Sequence, residues 1–241
     1  MASETRIRQA LVLGASSDIG IALCTRYLDA GYRVLAHVHA HPEALNVLVD
    51  SGAAIELLPC DLSDLDTVQA MAATDGVCAS DAVVFLAAQA APTSLSSATP
   101  PELTSALNVG ALANYLVMGS VGPAMAERGW GRILIGSSIG VTFGGGRDSF
   151  AYALANHASE FIPREARDWA EHNVLTNVVR IGVTNTKMHQ AFPQRKLDER
   201  AQLIPMRRPA SVDEIADYLF WHGSAANSYV TGQRLAISGG E

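Results

Sequence analysis

Short runs in which nearly every residue is apolar alternate along the chain with longer stretches whose apolar residues recur every three or four positions. The runs ALVLG (10–14), YRVLAHV (32–38), AAIELL (53–58), AVVFLA (82–87), RILIGS (132–137), VLTNVV (174–179) and RLAIS (234–238) predict seven strands. Helical spacing fills most of the intervals, at roughly 19–30, 42–50, 64–73, 101–127, 150–171 and 211–222. Ser211, with Glu214 three residues on, marks the start of the last one as a capping box. Strands and helices alternating in this way imply a parallel sheet covered on both faces, and strands buried on both faces should be apolar throughout, as these are. No repeat, charge block or low-complexity linker divides the sequence, so one α/β domain over residues 1–241 is expected. The most irregular segments, 91–100 and 141–148, both follow strands. Ligands of open parallel sheets bind beyond the carboxyl ends of the strands, which puts these loops beside the expected site.

The first turn narrows the class. LVLGASSDIG sets Gly14 at the end of a strand and Gly20 just inside a helix. A glycine there lets backbone approach a pyrophosphate, and the helix N-terminus offers free N–H groups with a partial positive charge. The expectation is a Rossmann-like, doubly wound dinucleotide domain with a seven-stranded parallel sheet flanked by helices. Asp18 sits where a further glycine is usual. Its carboxylate would repel a pyrophosphate, so it is expected to cap the helix and turn sideways.

Composition removes alternatives. A formal charge of -7 with scattered basic residues leaves no electrostatic footprint for nucleic acid. Cys24, Cys60 and Cys78 form neither a disulfide framework nor a zinc set, and a reducing cytoplasm is the expected setting. No signal-like N-terminus and no uncharged apolar run of ~18 residues is present, so no membrane is expected. His37, His39 and His41 alternate on a strand end, which predicts one exposed edge without a carboxylate or cysteine partner; no metal is expected there.

GASSDIG resembles the TGxxxGxG turn of the short-chain dehydrogenase/reductases, with Leu13 and Asp18 replacing the threonine and the middle glycine. Asp61 and Leu62 after the third strand match the pair that borders adenine in that family. Asn108 in LNVGA matches its helix asparagine, Ser138 its catalytic serine, and Tyr152 opens its YxxxK motif. The segments RRPASVDEIADYLFW and SYVTGQRLAISGG are similar to its last helix and strand, so the resemblance covers essentially the whole chain. It implies hydride transfer between a nicotinamide cofactor and a carbonyl or alcohol carbon. Ser138 would polarise the carbonyl, Tyr152 would exchange the proton on oxygen, and Asn108 would support a water chain. Cofactor contacts are implied for Gly14, Ser16, Ser17, Asp18, Ile19 and Gly20 in the first turn. Further contacts are implied for His37, Asp61, Leu62, Ala87 and Ala88, and for Asn156, Gly182, Thr184 and Thr186 on the nicotinamide side. A homotetramer, or at least a homo-oligomer, is also implied.

The departures matter as much. NNAG reads FLAA (85–88), Pro-Gly reads Ile181-Gly182, and YxxxK reads YALAN, with Asn156 for the lysine. Pro163 interrupts a helix that is usually continuous in the family and predicts a kink or a short break. A phenol titrates near ~10, and acting as a base near neutrality asks for ~3 to 4 kcal/mol, about what an ammonium ~4 Å away supplies at an effective dielectric of ~20. Asn156 supplies no charge, though it can still hydrogen-bond the ribose. Lys187 in TNTKM is the first candidate for a replacement cation, ahead of Arg147 and His157. The second strand ends in AHVHAHP, with Val38 at the position where an acidic residue selects NAD; His37, His39, Ser16 and Ser17 are candidate phosphate contacts, so NADP is favoured over NAD. The substrate wall is expected from 89–100, 139–151 and 185–205, the last including Met188, Phe192, Arg195, Lys196, Arg200 and Met206. Two readings follow: an NADP(H)-dependent reductase of a small-molecule or carrier-linked carbonyl, or a dinucleotide-binding protein that has lost turnover and serves as a sensor or assembly subunit.

Overall fold

The computed structural model describes residues 6–188 and 197–241. Seven parallel strands form one sheet in the order β3-β2-β1-β4-β5-β6-β7. They are β1 (Gln9–Leu13), β2 (Arg33–Val38), β3 (Ile55–Pro59), β4 (Ala82–Phe85), β5 (Gly131–Ser138), β6 (Val174–Ile181) and β7 (Arg234–Ile237). Because side chains alternate across a strand, Leu11 and Leu13 enter the core on one face while Ala10 and Val12 enter the core on the other. The same parity sends Ile133 and Ile135 one way and Leu134 the other.

The connecting helices are α1 (Asp18–Asp29), α2 (Asn46–Asp50), α3 (Leu65–Ala72), α4 (Asp75–Cys78), α5 (Pro100–Leu107), α6 (Ala113–Arg128), α7 (Phe150–Ser159), α8 (Arg164–Asp168), α9 (Leu197–Ala201) and α10 (Val212–His222). Ser211 caps α10 through Glu214 N–H at 3.1 Å, and the Glu214 carboxylate accepts from Ser211 N–H at 2.8 Å, as the sequence predicts. The expected helix over 42–50 is a 3-10 turn, Pro42–Leu45, running into the short α2.

The expected helix over 101–127 is interrupted by one π turn, Asn108–Leu112, between α5 and α6. Together these elements, Pro100–Arg128, are long and apolar enough to cross a membrane, yet half of the apolar window is buried within the protein itself. The core residues Val117, Val121 and Met125 belong to it. Gly122 is where it meets Trp169: a Cβ there would lie 2.0 Å from the indole ring.

Pro163 does break the next helix. The α7 segment stops at Ser159 and Pro163 opens α8, because proline has no N–H to continue the ladder. Tyr115 of α6 braces the gap, its hydroxyl lying 2.6 Å from the Ala158 carbonyl and 2.9 Å from that of Phe161. Strand order reverses between β1 and β4, so the crevice beyond their carboxyl ends is the natural ligand position.

Candidate active site

That crevice holds a cavity of about 890 Å³. Its lining includes Ser16, Ser17, Asp18 and Ile19 at the start of α1, Ala87 and Ala88 just beyond β4, and Ser138, Tyr152 and Asn156. Gly182, Thr184 and Thr186 complete the lining. These expected positions come together in one lining. Of the expected substrate segments, Ala90, Ile139, Val141, Phe143, Met188 and Arg200 contribute. Phe192, Arg195 and Lys196 lie outside the described residues.

The glycine turn is built by close approach. Gly14 has φ +82°, and a Cβ there would sit 2.7 Å from the Ala87 nitrogen, so β4 can run directly beside it. Gly20 packs against the turn itself, its missing Cβ 2.4 Å from the Gly14 carbonyl oxygen. Ser17, not Asp18, is the helix cap: its hydroxyl oxygen accepts from Gly20 N–H at 3.0 Å. The other first-turn positions open on the cavity, a donor set that fits a pyrophosphate. Asp18 does turn sideways. Its carboxylate accepts from the backbone N–H of Lys187 at 2.7 Å, with the Lys187 ammonium 3.9 Å away.

Several expected residues are placed differently. His37 is not an exposed phosphate contact but a buried post beneath the turn, 4% exposed. Its Nδ1 accepts from Gly14 N–H at 3.2 Å and its Nε2 donates to the Cys60 carbonyl at 2.9 Å, which makes it the neutral tautomer. Burial holds its pKa below the ordinary value, against the hydrogen bond to Cys60, which acts in the opposite direction. The other two histidines are exposed and do have carboxylate partners, His39 with Asp61 at 3.9 Å and His41 with Glu43 at 3.0 Å.

Asp61 and Leu62 do not line the cavity. The Asp61 carboxylate accepts from the backbone N–H and the hydroxyl of Ser63, at 2.9 and 2.8 Å, and Leu62 is buried in the core. Asn108 is also outside the lining: its amide donates to the Ser63 carbonyl at 2.8 Å, tying the π turn to that same loop. Lys187, the candidate replacement cation, is 80% exposed and has Asp18 as its ion-pair partner.

The catalytic candidates themselves converge. Ser138 ends β5, and its Oγ accepts from Gly140 N–H at 3.1 Å to start the 3-10 turn Ile139–Phe143. Tyr152 and Asn156 share one face of α7, four residues apart. The buried Asn156 amide donates to the Tyr152 backbone carbonyl at 2.9 Å, so it stays on its own helix. The sequence did not single out Ser137, which also lines the cavity, or Glu160, which accepts from the Ser137 hydroxyl, and Arg180, which pairs with Glu160, both outside that lining. Glu160 and Arg180 each leave a local mark: a carboxylate closes the SFAYALANHASE helix, and an arginine stands near the end of a mostly apolar strand.

A parallel sheet with a glycine turn at its switch point and a serine–tyrosine pair in the same crevice defines a dinucleotide-dependent oxidoreductase architecture. Comparison with known proteins agrees. Residues 14–241 match the family described as Enoyl-(Acyl carrier protein) reductase. The chain is 30% identical to uncharacterized oxidoreductase YmfI of Bacillus subtilis, over 97% of this chain and 98% of that protein. It is 29% identical to acetoacetyl-CoA reductase of Allochromatium vinosum, with the same coverage. A crystal structure of a 3-oxoacyl (acyl-carrier-protein) reductase from Agrobacterium tumefaciens with NADP bound superposes with a TM-score of 0.86 at 28% identity, covering 98% of this chain and 95% of that one. The chain belongs to the short-chain dehydrogenase/reductase family of oxidoreductases.

Proposed function

We propose that this protein is an NADPH-dependent reductase of a carbonyl compound, with Tyr152 as proton donor. The observation that carries the reading is that one cavity is lined both by the helix start Ser16–Ile19 and by Ser138 and Tyr152. The cofactor, when bound, supplies a hydride to the carbonyl carbon. Ser138 has a hydroxyl proton to give to the carbonyl oxygen, because its Oγ already accepts from Gly140 and its orientation is thereby set. The Tyr152 phenol delivers the proton that turns the developing alkoxide into an alcohol. Asn156, with its amide on the Tyr152 carbonyl, rigidifies the turn between the two and leaves its side-chain oxygen for a ribose hydroxyl.

NADP is favoured over NAD because β2 ends in Val38 rather than an acidic residue, and the NADP-bound relative supports it. With His37 buried, the 2′-phosphate partners proposed are Ser16 and His41, which both line the cavity, and the neighbouring His39. Ile139, Val141, Phe143 and Met188 give the substrate side an apolar wall. That wall suits an acyl or otherwise apolar ketone, small or carrier-linked, and the acetoacetyl-CoA and 3-oxoacyl relatives support that class. A cytoplasmic homo-oligomer completes the reading.

The test is NADPH titration by fluorescence followed by NADPH consumption against a panel of ketones, aldehydes and acetoacetyl-CoA. Consumption by wild type that is lost in Tyr152→Phe with binding retained supports the proposal. Binding with no consumption anywhere on the panel would instead favour a dinucleotide-binding protein without turnover.

A further inference from the structure

Glu160, the residue that closes α7, is only 3% exposed yet carries a carboxylate. Its Oε1 accepts from the Ser137 hydroxyl and from Arg180 Nε, both at 2.8 Å, while Oε2 accepts from Arg180 Nη2 at 2.6 Å. The guanidinium of Arg180 thus grips the carboxylate at two points, the most directional form of the pair. Arg234 adds a second cation 3.6 Å from Oε2 and donates to the Glu160 backbone carbonyl at 3.0 Å. Burial alone would raise the Glu160 pKa, but the hydrogen bonds from Arg180 and Ser137 and the two positive charges outweigh it and hold the group ionised.

Burying such a pair is a poor way to gain stability, since well-packed apolar side chains usually do as well or better. What the pair does give is direction, and its partners are specific. Ser137 directly precedes Ser138 on β5. Arg180 stands next to the end of β6 and also donates, through Nη1, to the Thr142 hydroxyl at 3.3 Å, within the 3-10 turn that Ser138 caps. Glu160 ends the helix that carries Tyr152 and Asn156, and the Ser159 hydroxyl donates to the Asn156 carbonyl at 2.8 Å on the same side. Every element bearing a proposed catalytic group is therefore held at this one junction. The need is plain from the fold: α7 stops before Pro163, so no continuing helix fixes its end.

We propose that Glu160 and Arg180 are positioning residues whose ion pair keeps the Tyr152 helix and the Ser138 strand end and turn in register for proton transfer. This rests on the reductase reading above. The test uses the full-length protein with Arg180→Met, Arg180→Lys, Glu160→Gln and the double variant Glu160→Met/Arg180→Met. Hydrogen exchange on the unliganded protein is read by peptide mass, and kinetics are read with NADPH and acetoacetyl-CoA. In Arg180→Met, residues 138–145 and 150–160 should exchange at least tenfold faster together, with β1 to β4 unchanged. The kcat should fall tenfold or more at unchanged NADPH affinity, and millimolar guanidinium should restore part of both, whereas Arg180→Lys should not recover them because an ammonium cannot fork.

Native protection in both segments, loosening of one without the other, or a kcat loss that merely follows global unfolding overturns the proposal. Should the single variants fail to fold, the apolar double variant gives the same readout: coupled loosening supports the junction and native protection refutes it. A wild type that consumes no NADPH sinks the reductase reading, while the exchange result still decides the role of the pair.

Discussion

The side-chain amide of Asn156 donates to the backbone carbonyl of Tyr152, 2.9 Å away, where the resemblance to the family places a lysine. The side chain at that position is neutral, and the exposed Lys187 is paired elsewhere. Replacing Asn156 by lysine should move the alkaline rise of alcohol oxidation to lower pH, by about two pH units if the ammonium comes within ~4 Å of the phenol oxygen. Carbonyl reduction, which uses the protonated phenol, should lose activity correspondingly earlier as pH rises. Paired pH–rate profiles of wild type and Asn156→Lys decide it; coincident profiles refute the charge argument.

Ser138→Ala removes two things at once, a proton donor and the cap of the Ile139–Phe143 turn. The expected losses are about 10²-fold or more in kcat and about 1 kcal/mol in stability. Tyr152→Phe should lose at least as much kcat, with no cap penalty. Steady-state kinetics set beside thermal melts separates the two effects.

The glycine turn should be acid-sensitive through His37. Its folded pKa lies below the ordinary 6.5, so stability is full above that value and declines as pH falls through it, because the unfolded chain takes up the proton more readily. A proton on Nδ1 would also confront the Gly14 N–H with a second donor. NADPH affinity of the wild type should therefore weaken as pH falls through the lowered pKa of folded His37. In His37→Gln, whose side chain does not titrate, that step should be absent; a calorimetric titration over pH 5 to 8 checks both.

Asp18 places a negative charge at the start of α1 while holding the Lys187 backbone. Asp18→Asn keeps an acceptor for that N–H and deletes the charge. Binding of NADPH should tighten by about fivefold, corresponding to ~1 kcal/mol of relieved repulsion, and should depend less on salt. Equal affinity across salt concentrations for both proteins would show that the Asp18 charge does not reach the phosphates.

A methyl group at Gly122 has nowhere to go, since the Trp169 ring lies 2.0 Å from where it would sit. Gly122→Ala should cost about 1–3 kcal/mol, seen as a lowered denaturation midpoint, with NADPH affinity retained in the folded fraction.

All seven strands were legible to within about two residues: the inner ones are buried on both faces and read as apolar runs, while the half-exposed edge strands β3 and β7 keep enough apolar residues to show the same pattern. The same double burial misled the reading of His37. Alternation alone predicts exposure, yet β2 beyond Arg33 is buried, so a polar ring there has to find its hydrogen bonds internally. Asp61, Leu62 and Asn108 match the family pattern in position, but whether they reach the cavity depends on how the Ser63 loop closes, which the sequence does not show. The break at Pro163 followed from proline chemistry and was found. The π turn was not, since one extra residue in a helical turn leaves the apolar spacing nearly unchanged over so short a span. Glu160 and Arg180 each stand out locally, but nothing in the sequence shows that two residues twenty positions apart on different elements form one ion pair.

The contact between Gly122 and Trp169 links two positions that periodicity treats as unrelated. Neither can drift alone: a larger side chain at the first demands a smaller ring at the second, and a smaller ring at the second leaves a void at the first. In divergent sequences of this lineage the two should change as a matched pair, so joint variation there would record an ancestral repacking of the layer behind β5 and β6.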